Sequence, residues 1–228
     1  MSDPRNLPTC IGIILDGNRR WARANGLPEF EGHRRGYDRF VECTRWVRDR
    51  GIKHLAVYVF STENWNRKAE EVSYLMNLLQ EIAQQPLRKL AEENIRLRFV
   101  GKLEMLPQNL QEAIVRNEAG SKHNDGLTVW VCMSYGSRQE ITAAAQELAT
   151  TGQQITEQSL QKHLWTADMP DPDLIIRPGG EKRLSNFLLW QAAYSELFFI
   201  DSYWPDFSET ILDRILEEYA TRERRMGR

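Results

Sequence analysis

Two short stretches gather residue types that can hold phosphate. The first, Asp173 to Glu196 (DLIIRPGGEKRLSNFLLWQAAYSE), carries the apolar triplet Leu174-Ile175-Ile176 into Pro178-Gly179-Gly180, with Arg177, Arg183 and Ser185 as nearby donors. Two guanidinium forks and a hydroxyl suit phosphate oxygens, because arginine donates in a planar, bidentate manner. The same arginines could instead pair with Asp171, Asp173 and Glu181, which would leave an ordinary surface loop. The second stretch, CIGIILDGNRRWA from Cys10 to Ala22, places Asp16 at the end of another apolar run and follows it with Arg19, Arg20 and Arg23. Asp16 reads either as a turn or helix-capping residue or as a ligand of Mg²⁺, an ion that bridges one or two carboxylates to substrate phosphates. The phosphate donors around it favour the metal.

Both stretches need strands to position them. Ile11 to Leu15 and Leu174 to Ile176 are short, continuous apolar runs, the pattern of strands buried on both faces. His54 to Phe60 (HLAVYVF) is a third, and it also empties into polar residues and an arginine, Ser61-Thr62-Glu63-Asn64-Trp65-Asn66-Arg67. In an open α/β sheet, ligands bind beyond the carboxyl ends of strands, so these three loops describe one crevice. Further strands are expected at Ile95 to Val100, Leu127 to Met133 and Leu197 to Ile200. Helices are expected after Gly17 and over His33 to Asp49, Ala69 to Asn94, Gln108 to Lys122, Ser137 to Ala149 and Phe207 to Glu223. The alternation predicts a doubly wound, mostly parallel sheet flanked by helices. With no repeat and no linker, residues 1–228 read as a single domain. Within the Ala69 to Asn94 helix, Val72, Leu75, Met76, Leu79, Ile82, Ala83, Leu87 and Leu90 keep a helical period, and Pro86 predicts a kink.

The motifs LDGNRRWA, GHRRG (Gly32 to Gly36), FSTENWNR (Phe60 to Arg67) and IRPGGEKRLSNFLLWQAAYSE together resemble the cis-prenyltransferases, of which the undecaprenyl diphosphate synthases are the best-known members. The resemblance runs from about Thr9 to Arg225-Met226-Gly227. It implies a homodimer that condenses isopentenyl diphosphate with an allylic diphosphate (geranyl or farnesyl diphosphate), using Mg²⁺, to give a Z-polyprenyl diphosphate. It also implies that the apolar face of the Ala69 to Asn94 helix flanks a prenyl tunnel.

By the same resemblance Asp16 holds Mg²⁺, assisted by Glu196. Gly17, Asn18, Arg19 and Arg20, with His33, bind the allylic diphosphate, and Trp21 and Trp65 wall the site. Arg177, Arg183 and Ser185 take the diphosphate of isopentenyl diphosphate, with Leu184 beside them. Ser61, Thr62, Glu63 and Arg67 complete the substrate-binding set. Asn64 stands at the proton-acceptor position, although an amide is hardly basic; a phosphate oxygen, or a water held by Ser61 and Asn64, is the better base. The C-terminal Arg225-Met226-Gly227 would complete a partner's site.

Several positions depart from the family pattern. Glu29 stands where an arginine usually contacts the allylic diphosphate, Ser134 where asparagine is frequent, Pro178 where threonine is common, and Lys182 where a histidine sometimes lies near the metal. Val59 replaces an alanine usual in long-chain bacterial members. A bulkier side chain there predicts a short to medium product, at or below undecaprenyl length; Leu127, at a position associated with the tunnel's far end, is unchanged.

Composition bounds the alternatives. A net charge of −2 offers no global field for nucleic acid. Of the 30 basic residues only seven are lysine, an excess of arginine that suits oxyanion recognition. Cys10, Cys43 and Cys132 show no disulfide or zinc spacing, which fits a reducing cytoplasm. No apolar run approaches the roughly 18 residues of a membrane span, and the N-terminus lacks a signal-peptide core. Peripheral membrane contact is expected only through a lipid product. Two other readings compete: a non-catalytic subunit of a heteromeric cis-prenyltransferase, against which the retained Asp16, Asn64, Arg183, Ser185 and Glu196 speak, and a generic phosphate-binding α/β protein, which lacks GxxxxGK[ST] and GxGxxG.

Overall fold

The computed structural model describes residues 7–84 and 86–223. Six strands, β1 (Cys10–Ile14), β2 (His54–Ser61), β3 (Ile95–Val100), β4 (Leu127–Tyr135), β5 (Leu174–Arg177) and β6 (Glu196–Phe199), form one sheet in the order β3-β4-β2-β1-β5-β6. Every pairing is parallel. Eight helices connect and cover them: α1 (Asn18–Ala24), α2 (Glu29–Asp49), α3 (Ala69–Gln84), α4 (Pro86–Glu92), α5 (Gln108–Ser121), α6 (Ser137–Thr150), α7 (Glu157–His163) and α8 (Glu209–Thr221).

The strands alternate between two apolar layers. Ile11, Ile13, Leu55, Val57, Val129 and Val131 join one core cluster, whereas Ile14, Ala56, Tyr58, Trp130 and Cys132 join the other. Both faces are therefore dry, which is why these strands read as continuous apolar runs. Chain order reverses at β1, with β2 on one side and β5 on the other, so the topological switch point lies beyond Ile14 and Arg177.

One helix is expected over Ala69 to Asn94, and α3 and α4 both fall within it, α4 ending at Glu92. α7 was not anticipated. It begins with a capping box in which Thr156 accepts from the Ser159 amide, but its seven residues bury only Leu160, too little for a period to show. The β2–β4 pairing is also interrupted twice. Tyr58 pairs with Cys132 but Phe60 with Met133, which leaves Val59 as an extra residue on β2; Ser61 then pairs with Tyr135, which leaves Ser134 as an extra residue on β4. Ser134 adopts φ 48°. Two bulges in succession restore the register.

Candidate active site

Beyond the switch point, Asp16 follows β1 and Arg177 ends β5, and the two meet. Arg177 Nη2 donates to Asp16 Oδ2 at 2.8 Å, and the guanidinium side chain is 4% exposed. Its Nη1 donates to Ser185 Oγ at 2.8 Å and to the Arg183 carbonyl. The other carboxylate oxygen of Asp16 accepts the Gly17 amide at 2.6 Å and lies 3.2 Å from Arg20. Burial alone would raise the Asp16 pKa. The hydrogen bond and charge of Arg177, the charge of Arg20 and the Gly17 amide outweigh it and hold the carboxyl below its ordinary value.

The GHRRG motif has a steric explanation. α2 crosses the start of α1 so closely that a Cβ on Gly36 would stand 2.3 Å from Asn18 Oδ1, and one on Gly32 would stand 2.1 Å from the Asn18 carbonyl. Only glycine permits that approach, which aims His33 into the crevice. His33 Nε2 is 4.0 Å from Glu71 Oε1. Burial, with the charge of Arg67, lowers the His33 pKa to about 4 despite Glu71, so the ring is neutral at pH 7. Glu71 also reaches Arg67 at 2.9 Å and Arg19 at 3.4 Å. One carboxylate thus holds three of the cation-capable groups at the mouth.

The loop after β2 is a 3₁₀ turn, Thr62–Asn66, closed by reciprocal capping: Asn64 Oδ1 accepts the Ser61 amide at 3.1 Å, and the Ser61 side chain accepts in return. The loop after β5 holds Ser185, Asn186 and Leu188 at positive φ (50°, 66° and 46°), a strain of about 1–3 kcal/mol each that functional loops tolerate. Asn186 Nδ2 donates to Glu63 and Gln139, both at 2.9 Å, and so ties the loops after β2, β4 and β5 together.

These groups rim a cavity of about 790 Å³, within the roughly 300–1,000 Å³ range of ligand pockets. Asp16, Asn18, Arg19, His33, Ser61, Glu63, Asn64, Arg67, Arg177, Arg183, Leu184 and Ser185 line its polar end. Its remainder is apolar, walled by Phe40 of α2, Leu75, Leu78, Leu79, Ile82 and Ala83 of α3, Leu87 of α4, Leu110 of α5, and Val59, Phe99, Val131 and Met133 of the sheet. Arg138 and Asn186 also line the polar end, and sequence reasoning missed both. Arg138 stands in the first turn of α6 and Asn186 in the loop after β5.

Other expected site residues lie elsewhere. Gly17, Arg20 and Thr62 are not among the residues that line it, and Arg20 bridges Asp16 and Glu181. Trp21 does not wall the cavity: its indole donates to Asp206 at 2.7 Å. Nor does Trp65, which packs edge-on to Phe60 and donates to Ser134 Oγ at 2.9 Å. Both indoles are committed to neighbouring protein. Leu127 is buried in the core and is not a wall of the cavity. Glu196 is the largest departure. It begins β6, in register with Leu174 and hence with Ile11, at the amino end of the sheet; Asp16 lies beyond the carboxyl end. Its carboxylate pairs with Arg222 at 2.6 Å. Within one chain it cannot share an ion with Asp16. Glu29, in place of the usual arginine, is bound by Arg23 and lies 4.0 Å from Arg19.

Among the described residues no three His, Cys, Asp or Glu side chains converge on a metal site. Asp16 fits a divalent ion only as a single carboxylate at the cavity mouth, with phosphate oxygens supplying most of the coordination. Arg225-Met226-Gly227 falls outside the described residues.

A doubly wound sheet with an arginine-rich crevice opening on a long apolar cavity defines a protein for amphiphiles, with an anionic head at the strand ends and a hydrocarbon tail between helices. The family profile described as "Putative undecaprenyl diphosphate synthase" matches residues 14–227. The chain is 45% identical to an isoprenyl transferase of Neisseria gonorrhoeae over 97% of its length and 90% of that protein's. It is 42% identical to the ditrans,polycis-undecaprenyl-diphosphate synthase ((2E,6E)-farnesyl-diphosphate specific) of Micrococcus luteus, over 97% and 92% of the two chains. Among solved structures, lavandulyl diphosphate synthase from Lavandula x intermedia, in complex with dimethylallyl diphosphate, superposes with a TM-score of 0.94 at 33% identity, covering 98% of this chain and all of that one. The chain belongs to the undecaprenyl diphosphate synthase family of cis-prenyltransferases.

Proposed function

We propose that the protein condenses isopentenyl diphosphate with geranyl or farnesyl diphosphate to give a short to medium Z-polyprenyl diphosphate, with Mg²⁺ held between Asp16 and substrate phosphate. The observation that carries this reading is the continuity of one cavity from the Asp16–Arg177 crevice to the Leu75–Ile82 face of α3. The bond from C1 of the allylic substrate to its diphosphate breaks, C1 joins the terminal alkene carbon of isopentenyl diphosphate, and the latter loses a proton. Bound Mg²⁺ would neutralise the departing diphosphate. Arg19, Arg67 and neutral His33 would orient the allylic head, while Arg177, Arg183 and Ser185 would orient the second diphosphate. Asn64, already accepting the Ser61 amide, positions the loop and leaves the proton to a phosphate oxygen or a water.

A homodimer accords with the exposed edge strand β6 and with Leu189, Tyr194 and Leu197, which are 37%, 72% and 37% exposed. Glu196 could then assist a metal only in a second copy's site, together with the C-terminal Arg225-Met226-Gly227. Mixed dimers of Asp16→Ala and Glu196→Ala chains test this: one site in each mixed dimer would regain both residues, and activity would exceed that of either variant alone. The described residues contain no helix long and apolar enough to cross a membrane. The proposed setting is the cytoplasm, with contact at the bilayer when product leaves.

The deciding experiment is mass spectrometry of products from isopentenyl diphosphate with geranyl or farnesyl diphosphate, with and without chelator. No prenyl product from either primer would overturn the reading.

A further inference from the structure

One face of α2 lines the cavity in order from its polar mouth inward: His33, Gly36, Tyr37 and Phe40, at the i, i+3, i+4, i+7 spacing of a single helix stripe. Tyr37 is the one polar group on the inner part of that stripe. Its hydroxyl is shielded from solvent and has no hydrogen-bond partner among the described residues. A buried hydroxyl left unpaired costs about 1–3 kcal/mol, and phenols in protein interiors normally find an acceptor. Tyr37 does not. Its ring meets Phe40 at 6.2 Å between centroids, tilted by 52°. The ring lines the cavity while the hydroxyl is closed off by protein, so only the bulk of the ring meets what the cavity holds.

On the sheet, the bulge on β2 leaves Val59 accessible in a strand otherwise buried from Leu55 to Tyr58. A phenol ring on α2 and a bulged valine on β2 both take space from the cavity. Resting on the cavity's proposed role as the prenyl site, we infer that Tyr37 is a throat residue: its ring bulk limits how far the growing chain can extend and so sets product length. Its hydroxyl is dispensable for that limit, because it is bonded to nothing.

The test measures product-length distributions by mass spectrometry, with isopentenyl diphosphate and farnesyl or geranyl diphosphate, for wild type, Tyr37→Phe, Tyr37→Ala and Tyr37→Trp. Tyr37→Phe should keep the wild-type distribution. Tyr37→Ala should shift it to longer chains by one or more isoprene units, and Tyr37→Trp should shorten it. If Tyr37→Ala does not fold by circular dichroism, Tyr37→Leu and Tyr37→Trp carry the comparison. Active Ala or Leu and Trp variants with an unchanged distribution would overturn the throat assignment alone. A wild type that makes no prenyl product would instead overturn the cavity reading on which it rests.

Discussion

Arg177 and Asp16, 161 residues apart in sequence, close the sheet's switch point: a nearly buried guanidinium donates through Nη2 and Nε to one carboxylate oxygen, at 2.8 and 3.3 Å. The same guanidinium bonds Ser185 and the Arg183 carbonyl, so the Asp16 carboxylate and the Ser185 loop share one anchor.

Asp16→Ala removes the carboxylate bonded to that anchor while leaving the packing of β1 intact. Turnover should fall about 100-fold or more, the usual cost of a lost transition-state charge contact, with the far-UV spectrum unchanged. Steady-state kinetics retaining a tenth of wild-type kcat would remove Asp16 from the mechanism.

Arg177→Met should cost more in folding than in size. It leaves the half-buried Asp16 carboxylate with only Arg20 and the Gly17 amide, and the Ser185 loop, strained at positive φ, without its tie. Breaking one partner of a buried pair typically costs about 3–5 kcal/mol. Urea unfolding should show a loss of that order, and Asp16→Asn combined with Arg177→Met should recover part of it.

His33 makes acid stability testable. Its folded pKa of about 4 lies below the ordinary 6.5, so the unfolded chain binds more protons than the native one between those values. The histidine therefore lowers stability progressively as pH falls from about 6.5 toward 4. Besides His33, the titratable groups that face this region are Arg19, Arg67, Glu29 and Glu71. His33→Gln should flatten the fall in melting temperature over that window; an identical pH profile would mean that the ring is not desolvated.

Val59→Ala should lengthen products if the bulge places the valine in the passage. Melting temperature should drop by no more than the equivalent of about 0.5–3 kcal/mol. A lower melting temperature with unchanged products would assign Val59 to packing only.

Much of this was legible in the chain because parallel strands covered on both faces are apolar throughout, so β1, β2 and β5 stand out and their ends mark the crevice. Asp16, Arg67, Arg177, Arg183 and Ser185 follow or end those strands, and His33 comes from the family motif GHRRG; all six line the cavity. Glu196, Trp21 and Trp65 were misplaced, since motif membership says nothing of which end of a strand a residue occupies or which neighbour an indole bonds. Tyr37 and Arg138 carry no local signal: a tyrosine on an amphipathic helix and an arginine in a first helical turn are ordinary until the cavity is drawn. The bulges were equally silent, because Val59 and Ser134 fit an alternating strand as well as an interrupted one.

The two bulges behave as a compensated frameshift. β2 carries one surplus residue at Val59 and β4 one at Ser134, and the strands leave the sheet back in step, with Ser61 opposite Tyr135. Losing either residue alone would rotate one departing loop by half a strand repeat relative to the other, separating Thr62 from Gly136 while the core stayed closed. Losing both would restore the phase but withdraw the valine from the cavity. In this lineage of folds, indels at the two positions should therefore survive only as pairs.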